Sequence, residues 1–572
     1  MLRSTVLLEF LCRLEIMEDI KFAPIFEKLE ISEKDRYLLE PFFTNLDKSV
    51  FAVAFLPPEV IGALCSRTSR ARGDLRIVFL NEFVKPFLRE KTEYGESLRA
   101  LIDFLHKYPI ELIFSNPKGR EFYIKWLAQF GDDSIAQMAG THLIYSGISQ
   151  IAIKHFEDMR IGLAPIEKST RYVDYSSKIG DNYRYYLDPT LEKMGLLKDY
   201  KEIMDNLFHT YVFLQERYFS YLKRRYPGEK ESLLKTKTLD VIRKILPTST
   251  ISQLSLFGSG QAFEYLINRS LDHKLGEVRW AAKRAFEELS KIIPAFLRRV
   301  ETEESAKYRI YLSERGGRVR QALKEIDWDS PPLRAQRGEG GSVKLLEFDP
   351  DGENKIIAGL LYLELKEPYE KVLQKVKSLP LSDKERVLKE VLKDRNFRYY
   401  KIPRAFENAY LRFEIVMNIG AWRDLHRHRL HTQYRQRFNI YNGFDVPEEL
   451  KEAKLDREYT KAIRKVEELF EKVEKFDSDI AQYCCSLAHR VRFIQYQNLR
   501  SFFWEAELRT VPEGHPDYRK IEQEKVKLVK KIYPLIGKYL LVDMEDYDFA
   551  RRRVPEKMRK KEEELKRYFE KR

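Results

Sequence analysis

The densest chemistry in the chain lies at residues 423–437, RDLHRHRLHTQYRQR. Arg423, Arg427, Arg429, Arg435 and Arg437 stand with His426, His428 and His431 against a single carboxylate, Asp424, a formal +4 over fifteen residues. A guanidinium grips a phosphate or carboxylate through two parallel hydrogen bonds, and so many close together repel unless an anion receives their charge. The cluster therefore suits a phosphate-bearing ligand, although a solvated basic helix face or ion pairs to the many acidic residues would also accommodate it. Zinc is a poor match, because neither the spacing HxHxxH nor the nearby carboxylate resembles a helical HExxH. An RNA-binding strip would need stacking rings, and only Tyr434 and Phe438 lie close by.

Two further segments carry convergent polar groups. Residues 164–173 read APIEKSTRYV, in which Glu167, Ser169 and Arg171 alternate. In extended backbone alternate residues share a face, so a carboxylate, a hydroxyl and a guanidinium could meet one ligand. Exposed strands show the same short alternation without binding anything. Residues 498–519, NLRSFFWEAELRTVPEGHPDYR, set Asn498, Arg500, Arg509, His515 and Arg519 among aromatic rings. That mixture suits a planar heterocycle with phosphates attached, or a helix with surface arginines.

The elements that must position these groups are helices and short strands, an α+β pattern. Residues 277–300 form an amphipathic helix until Pro294, and from Glu458 to about Phe493 the apolar positions Ile463, Val466, Phe470, Val473, Phe476 and Ile480 share one helical face. Lys344–Phe348 and Val50–Phe55 read as strands. Gly316-Gly317, Pro331-Pro332 and the run 337–342 read as a connector, because Gly and Pro both interrupt regular structure. The expected organisation is an N-terminal extension 1–45, a domain 46–315, a linker 316–343, a second domain 344–550 and a charged tail 551–572. The opening segment reads as an N-terminal helix or as an over-long start before Met17.

A chain of 572 residues with 43% hydrophobic and 34% charged residues can fill more than one core and is far from disorder. Its net charge of +14 permits anionic ligands without selecting one. Four cysteines without a CxxC pair exclude a disulfide framework and suggest a reducing, cytoplasmic setting. No apolar run approaches the roughly 20 residues of a membrane span.

Together the three segments resemble the flavin-dependent thymidylate synthases, whose signature is RHRxxS followed by SxRY. Arg427-His428-Arg429-Leu430-His431-Thr432 matches the first part, and Glu167-Lys168-Ser169-Thr170-Arg171-Tyr172 matches the second, 260 residues earlier. Two diverged tandem copies account for that displacement. In the first copy Gly131-Asp132-Asp133-Ser134-Ile135 and Gly147 through His155 resemble the family's run-up, but Met159-Arg160-Ile161 stand where RHR belongs. In the second, Arg404 to Ala409 and Phe413-Glu414-Ile415 resemble the same run-up and RHR is present, while Arg435, Arg437 and Asn439 replace the family's Glu, Ser and Arg. Downstream, the second copy keeps Asn498-Leu499-Arg500-Ser501, Leu508-Arg509 and His515 but has Gln482 in place of an Arg. The first keeps that Arg243 ahead of Leu246-Pro247 but has Gly258-Ser259-Gly260 in place of NxR.

The resemblance implies two α+β domains, each with helices around a central antiparallel sheet. It implies methylation of dUMP to dTMP by methylenetetrahydrofolate, with FAD reduced by NADPH. Carried over residue by residue, Arg427, His428, Arg429, Asn498, Arg500 and Ser134 would face FAD, Glu167, Ser169, Arg171 and Arg243 would face dUMP, and Arg509 would stabilise the uracil anion. No thiol nucleophile and no metal are implied, nor a membrane or nucleic-acid partner, and a homodimer imitating a four-domain assembly is expected. The incomplete motifs leave one alternative, a family descendant that binds flavin or nucleotide without methyl transfer.

Overall fold

The computed structural model describes residues 20–89, 92–108, 117–119, 121, 122, 125, 134–159, 162–326, 341–547, 549 and 554–570. Alternating burial builds its strands. In Tyr410–Asn418, Leu411, Phe413 and Ile415 are buried while Arg412 and Glu414 between them stay half-exposed. The first sheet joins β1 (Val50–Val53), β2 (Gly140–Ser149), β3 (Leu163–Glu167) and β4 (Ile251–Ser259) in the order β1-β2-β4-β3. The second joins β5 (Ser342–Phe348), β6 (Tyr410–Asn418), β7 (Thr432–Arg435) and β8 (Arg490–Asn498) in the matching order β5-β6-β8-β7. All pairings are antiparallel.

The register makes the repeats comparable residue by residue. Phe257 lies between His142 and Ala164 as Tyr496 lies between Arg412 and Thr432. Glu167 therefore corresponds to Arg435, Ser259 to Asn498 and Leu163 to His431. Each long strand passes directly into a helix: β2 into α1 (Gln150–Glu157), β4 into α4 (Gly260–Ser270), β6 into α7 (Ile419–Leu425) and β8 into α9 (Leu499–Arg509). Between the first two of these helices run α2 (Leu197–Arg225) and α3 (Glu231–Ile242). After α4 come α5 (Gly276–Ser290) and α6 (Glu303–Glu325), and the second repeat adds α8 (Asp456–Glu474) and α10 (Pro516–Ile532). At all four strand-to-helix corners a Ser or Asn side chain caps the helix: Ser149, Ser259, Asn418 and Asn498 accept from the backbone N–H three residues on.

The chain forms two compact units that do not follow sequence order. Unit 1 comprises residues 1–215, 245–332 and 457–485, and unit 2 comprises 216–244, 333–456 and 486–572. The expected domain boundaries therefore need amendment, because the first repeat lends 216–244 to unit 2 and the second lends 457–485 to unit 1. In unit 1 the Tyr483 hydroxyl donates to Glu277 at 2.8 Å and the Thr248 hydroxyl donates to the Gln482 carbonyl at 2.6 Å.

Other expectations are also corrected. Within the expected N-terminal extension, residues 31–43 belong to the first core, where Leu39, Phe42 and Phe43 pack with Phe51 and Phe79, and residues 1–19 fall outside the described residues. Gly316 and Gly317 lie inside α6, not in a connector; Thr302 caps this helix, and Glu314 pairs with Arg318 one turn on. Residues 327–340 of the expected linker fall outside the described residues. The helix expected to run to Phe493 ends at Glu474. Its Ile463, Val466, Phe470 and Val473 are buried as expected, but Phe476 is exposed, Asp477 caps the short helix Ser478–Ala481, and 490–498 is strand. The break before Pro294 occurs as the sequence suggests, and in the charged tail a helix runs over Val554–Glu570, exposed from Arg559 to Tyr568. Among the described residues no helix is long and apolar enough to cross a membrane.

Glu277 is wholly buried, and burial pushes its pKa up to about 7 against the donors Ser149 N, Ser149 Oγ and Tyr483 Oη. A carboxyl whose folded pKa exceeds its unfolded value stabilises below the unfolded value, near 4.5, and that contribution is lost as pH rises through about 7. Thermal melts between about pH 5 and pH 8.5 should show the loss, and Glu277→Gln should flatten it; an unchanged slope in the variant would contradict this reading.

Candidate functional site in the second unit

The loop between α7 and β7 carries Arg427, exposed, with His428 and Arg429 partly buried. Asn498 caps α9 through its side chain, one position before the helix begins. Arg500, in the first turn of that helix, pairs with Glu407 at 2.9 Å and donates Nε to the Ile402 carbonyl at 3.0 Å. Arg509 ends α9. Its Nε donates to His428 Nε2 at 2.8 Å and its guanidinium lies 5.5 Å from the Tyr518 ring, which leaves its two terminal nitrogens without an acceptor among the described residues. Accepting that bond requires an unprotonated Nε2, and burial holds the His428 pKa well below the usual histidine range, with Arg509 and His431 adding to the effect.

Arg243 reaches this unit from the first repeat. Its Nη2 donates to the Gly420 carbonyl at 3.2 Å and lies 3.9 Å from Asp424. The neighbouring Lys244 pairs with Asp517 at 2.7 Å. Burial would raise the Asp517 pKa, but Lys244 and His515 outweigh it and hold the carboxylate ionised. The second repeat has Gln482 where an Arg belongs, and unit 2 receives Arg243 instead.

Behind His428 runs a fully buried polar chain that the sequence reading missed. Lys525 Nζ meets Glu505 at 2.6 Å, Glu522 at 2.9 Å and Gln495 at 3.1 Å, between the Phe413 and Phe502 rings. Gln495 Nε2 lies 2.6 Å from His431 Nδ1, and the His431 ring stacks on His428 at 5.4 Å. Burial and the Glu505 charge push Glu522 up to about 8, so it is protonated at neutral pH. Burial acts on Glu505 too, but the Lys525 ammonium outweighs it and keeps that carboxylate ionised. The cluster thus holds one ammonium and one carboxylate, a matched pair. At the corresponding positions the first repeat has Leu256, Leu266, Ala282 and Ala285, all buried. The available signal was Gln495, inward in the alternation Val491, Phe493, Gln495. Ligand atoms of His428, His431 and Glu505 lie within 4.8 Å of one another, yet Lys525 and Arg509 already occupy that space with two positive charges.

The remaining expected residues lie in unit 1 and are arranged differently from the expectation. Glu167 ends β3, but Ser169 to Tyr172 form a turn, so the three do not alternate on one extended face. The Glu167 carboxylate is buried against Lys154 at 2.8 Å, and Lys154 also pairs with Glu157 at 2.5 Å. Ser169 Oγ accepts from the Arg171 N–H. Ser134 is exposed at the start of a five-residue helix, Ser134–Met138, and residues 131–133 fall outside the described residues. In the second repeat Arg435 lies 3.9 Å from the Phe438 ring and Asn439 bonds the Arg437 carbonyl, so no Glu-Ser-Arg trio survives there. Among the described residues the cysteines offer no exposed thiol: Cys65, Cys484 and Cys485 are buried, and burial pushes the Cys65 thiol up to about 11.

Comparison with known proteins matches the chain to the family model described as thymidylate synthase complementing protein twice, at residues 95–295 and 344–535. A UPF0159 protein of Chlamydia muridarum is 33% identical over 530 residues, covering 91% of this chain and 97% of the relative. One of Chlamydia pneumoniae is 33% identical over 545 residues, 93% and 98%. One of Thermoplasma acidophilum is 28% identical over 527 residues, 86% and 96%.

Removing one partner of a buried ion pair costs about 3–5 kcal/mol, whereas apolar replacement of the whole group is often neutral. Lys525→Met alone should lower urea stability by about that much. The combined change Gln495→Leu, Glu505→Leu, Glu522→Leu and Lys525→Met should recover most of it. A combined variant no more stable than the single one would refute the argument.

Proposed function

Because the chain belongs to the thymidylate synthase complementing protein family in both of its repeats, we propose that it is a flavin-dependent thymidylate synthase, converting dUMP to dTMP with methylenetetrahydrofolate and NADPH. The observation that carries this reading is the gathering of Arg243 from the first repeat with Arg427, His428, Arg429, Asn498, Arg500 and Arg509 from the second in one unit. This gathering supports Arg243 as the substitute for the arginine that the family pattern has at Gln482.

The donor set fits FAD. Arg427, Arg429 and Arg500 supply guanidiniums for a pyrophosphate, and the capped N-terminus of α9 adds its dipole. The flavin, when bound, supplies the hydride chemistry that side chains cannot. Arg243, held by the Gly420 carbonyl beside Asp424, is the proposed nucleotide ligand that the first repeat brings to this unit. Arg509 presents its terminal nitrogens to the uracil, where negative charge develops, while neutral His428 fixes the guanidinium through Nε. A cation already oriented lowers that barrier without reorganising. Ser169 and Arg171 are proposed nucleotide ligands in unit 1; the Glu167 carboxylate is engaged by Lys154 and serves there to hold the strand end. Ser134 is kept as a flavin-side ligand of the first repeat.

The loss of the Glu-Ser-Arg trio at Arg435, Arg437 and Asn439 favours a second reading, binding without methyl transfer. Bound flavin in the purified chain, with dTMP formed from dUMP, supports the first reading; bound flavin without turnover supports the second. Arg509→Ala should lower kcat about 10²–10³-fold with flavin retained, and Arg509→Lys should recover part of it. Full activity in Arg509→Ala would remove the assigned role. Arg243→Gln should raise the KM for dUMP about tenfold or more, as loss of one charged hydrogen bond predicts, and leave flavin content unchanged; an unaltered KM would count against Arg243 as a nucleotide ligand.

A further inference from the structure

The residue-by-residue correspondence of the repeats shows a place in unit 1 from which charge has been removed while the geometry is kept. In unit 2 Glu407 pairs with Arg500 at 2.9 Å; at the corresponding positions in unit 1 Gln137 Nε2 donates to Gln261 Oε1 at 3.0 Å. In unit 2 the Arg412 guanidinium lies 5.3 Å from the Tyr496 ring; in unit 1 His142 packs on Phe257 at 4.8 Å, and burial favours its neutral form. Met159 stands where Arg427 stands, Ser259 where Asn498 stands, and Tyr265 where Trp504 stands.

These substitutions border a groove of about 1040 Å³ lined by Met159, Phe257, Gln261, Tyr265 and Tyr308, among others. Three of its rings stay open to solvent, with Phe257 46%, Tyr265 45% and Tyr308 38% exposed. Among the described residues the charged groups lining it are one arginine, Arg299, and two glutamates, Glu264 and Glu304, and Arg299 is paired with Glu264 at 2.9 Å. Arg269 touches the Met159 sulfur at 3.6 Å and does not line the groove. A phosphate would meet a net negative wall. A flat uncharged ring would meet aromatic faces, with the Gln261 and Asn268 amides and the Ser305 hydroxyl beside them.

We propose that this groove is a second ligand site, taking an uncharged planar heteroaromatic molecule in place of the phosphate-bearing ligand for which the corresponding surface of unit 2 is built. The proposal stands on the two repeats' side chains and is independent of the thymidylate reading. The test is titration of the full-length chain with 6-methylpterin, a neutral fluorescent ring, alongside its anionic counterpart pterin-6-carboxylate. The neutral ring should quench saturably, and the anion should bind no more tightly. Phe257→Ala and Tyr265→Ala should each weaken binding at least tenfold, with circular dichroism unchanged, because each removes a stacking face. Arg500→Ala, at the corresponding position of unit 2, should leave it unaltered. The pair Met159→Arg and Gln261→Arg should turn the preference to the anion. The proposal is overturned by a folded wild-type chain that shows no saturable quenching. It is equally overturned by quenching that survives both aromatic substitutions, or that disappears with Arg500.

Discussion

The ion pair of Lys525 and Glu505 is the constraint on which unit 2 rests. An isolated charge at that depth would be prohibitive, and the pair is tolerated because Glu522 carries a proton and Gln495 donates to Glu505 while accepting from Lys525. Once Gln495 is committed to both Glu505 and His431, the stacking of His431 on His428 is determined, and so is the face on which His428 receives Arg509. Orientation at the surface is thus inherited from a polar chain in the core. The first repeat buries leucines and alanines on the same frame and has serine, Ser270, where the second has Arg509.

Duplication has let each repeat lose what the other supplies. The first kept Arg243 and lost RHR; the second kept RHR and lost the arginine at 482. The exchange of residues 216–244 and 457–485 between units brings Arg243 beside Gly420 in unit 2, while Ser169 and Arg171 stay in unit 1. In unit 1 the transferred segment brings Tyr483 to Glu277, a structural role. The two units therefore share a frame and differ in electrostatics, one rich in guanidinium groups and the other close to neutral along the corresponding edge.

The strands Val50–Val53 and Ser342–Phe348 were legible in the sequence as short β-rich runs, and the antiparallel sheets with helices around them were implied by the family resemblance, whereas strand order and the capped strand-to-helix corners needed the fold. The basic cluster and Arg509 were legible as chemistry. Residues 458–493 were misjudged because the apolar period of α8 continues by chance through Phe476 and Ile480, while the stop signal, Asp477, is a single capping residue. The Glu167, Ser169 and Arg171 alternation was misread because a turn begins where the pattern suggests more strand. The Lys525 cluster was invisible for a deeper reason. Its members come from β8, α9 and α10, and only the fold shows that their charges cancel one another. Likewise, nothing local to Arg243 reveals that it faces Gly420.

The exchanged segments also set an order of synthesis. Unit 1 includes residues 457–485, and its buried Glu277 finds the Tyr483 hydroxyl only in that stretch. The N-terminal repeat therefore cannot close its core while it is the only part of the chain outside the ribosome. It must wait, partly assembled, for some two hundred further residues to be translated. Neither repeat can be expressed as a finished half, and a nascent chain of this design depends on whatever shelters exposed apolar surface during that interval.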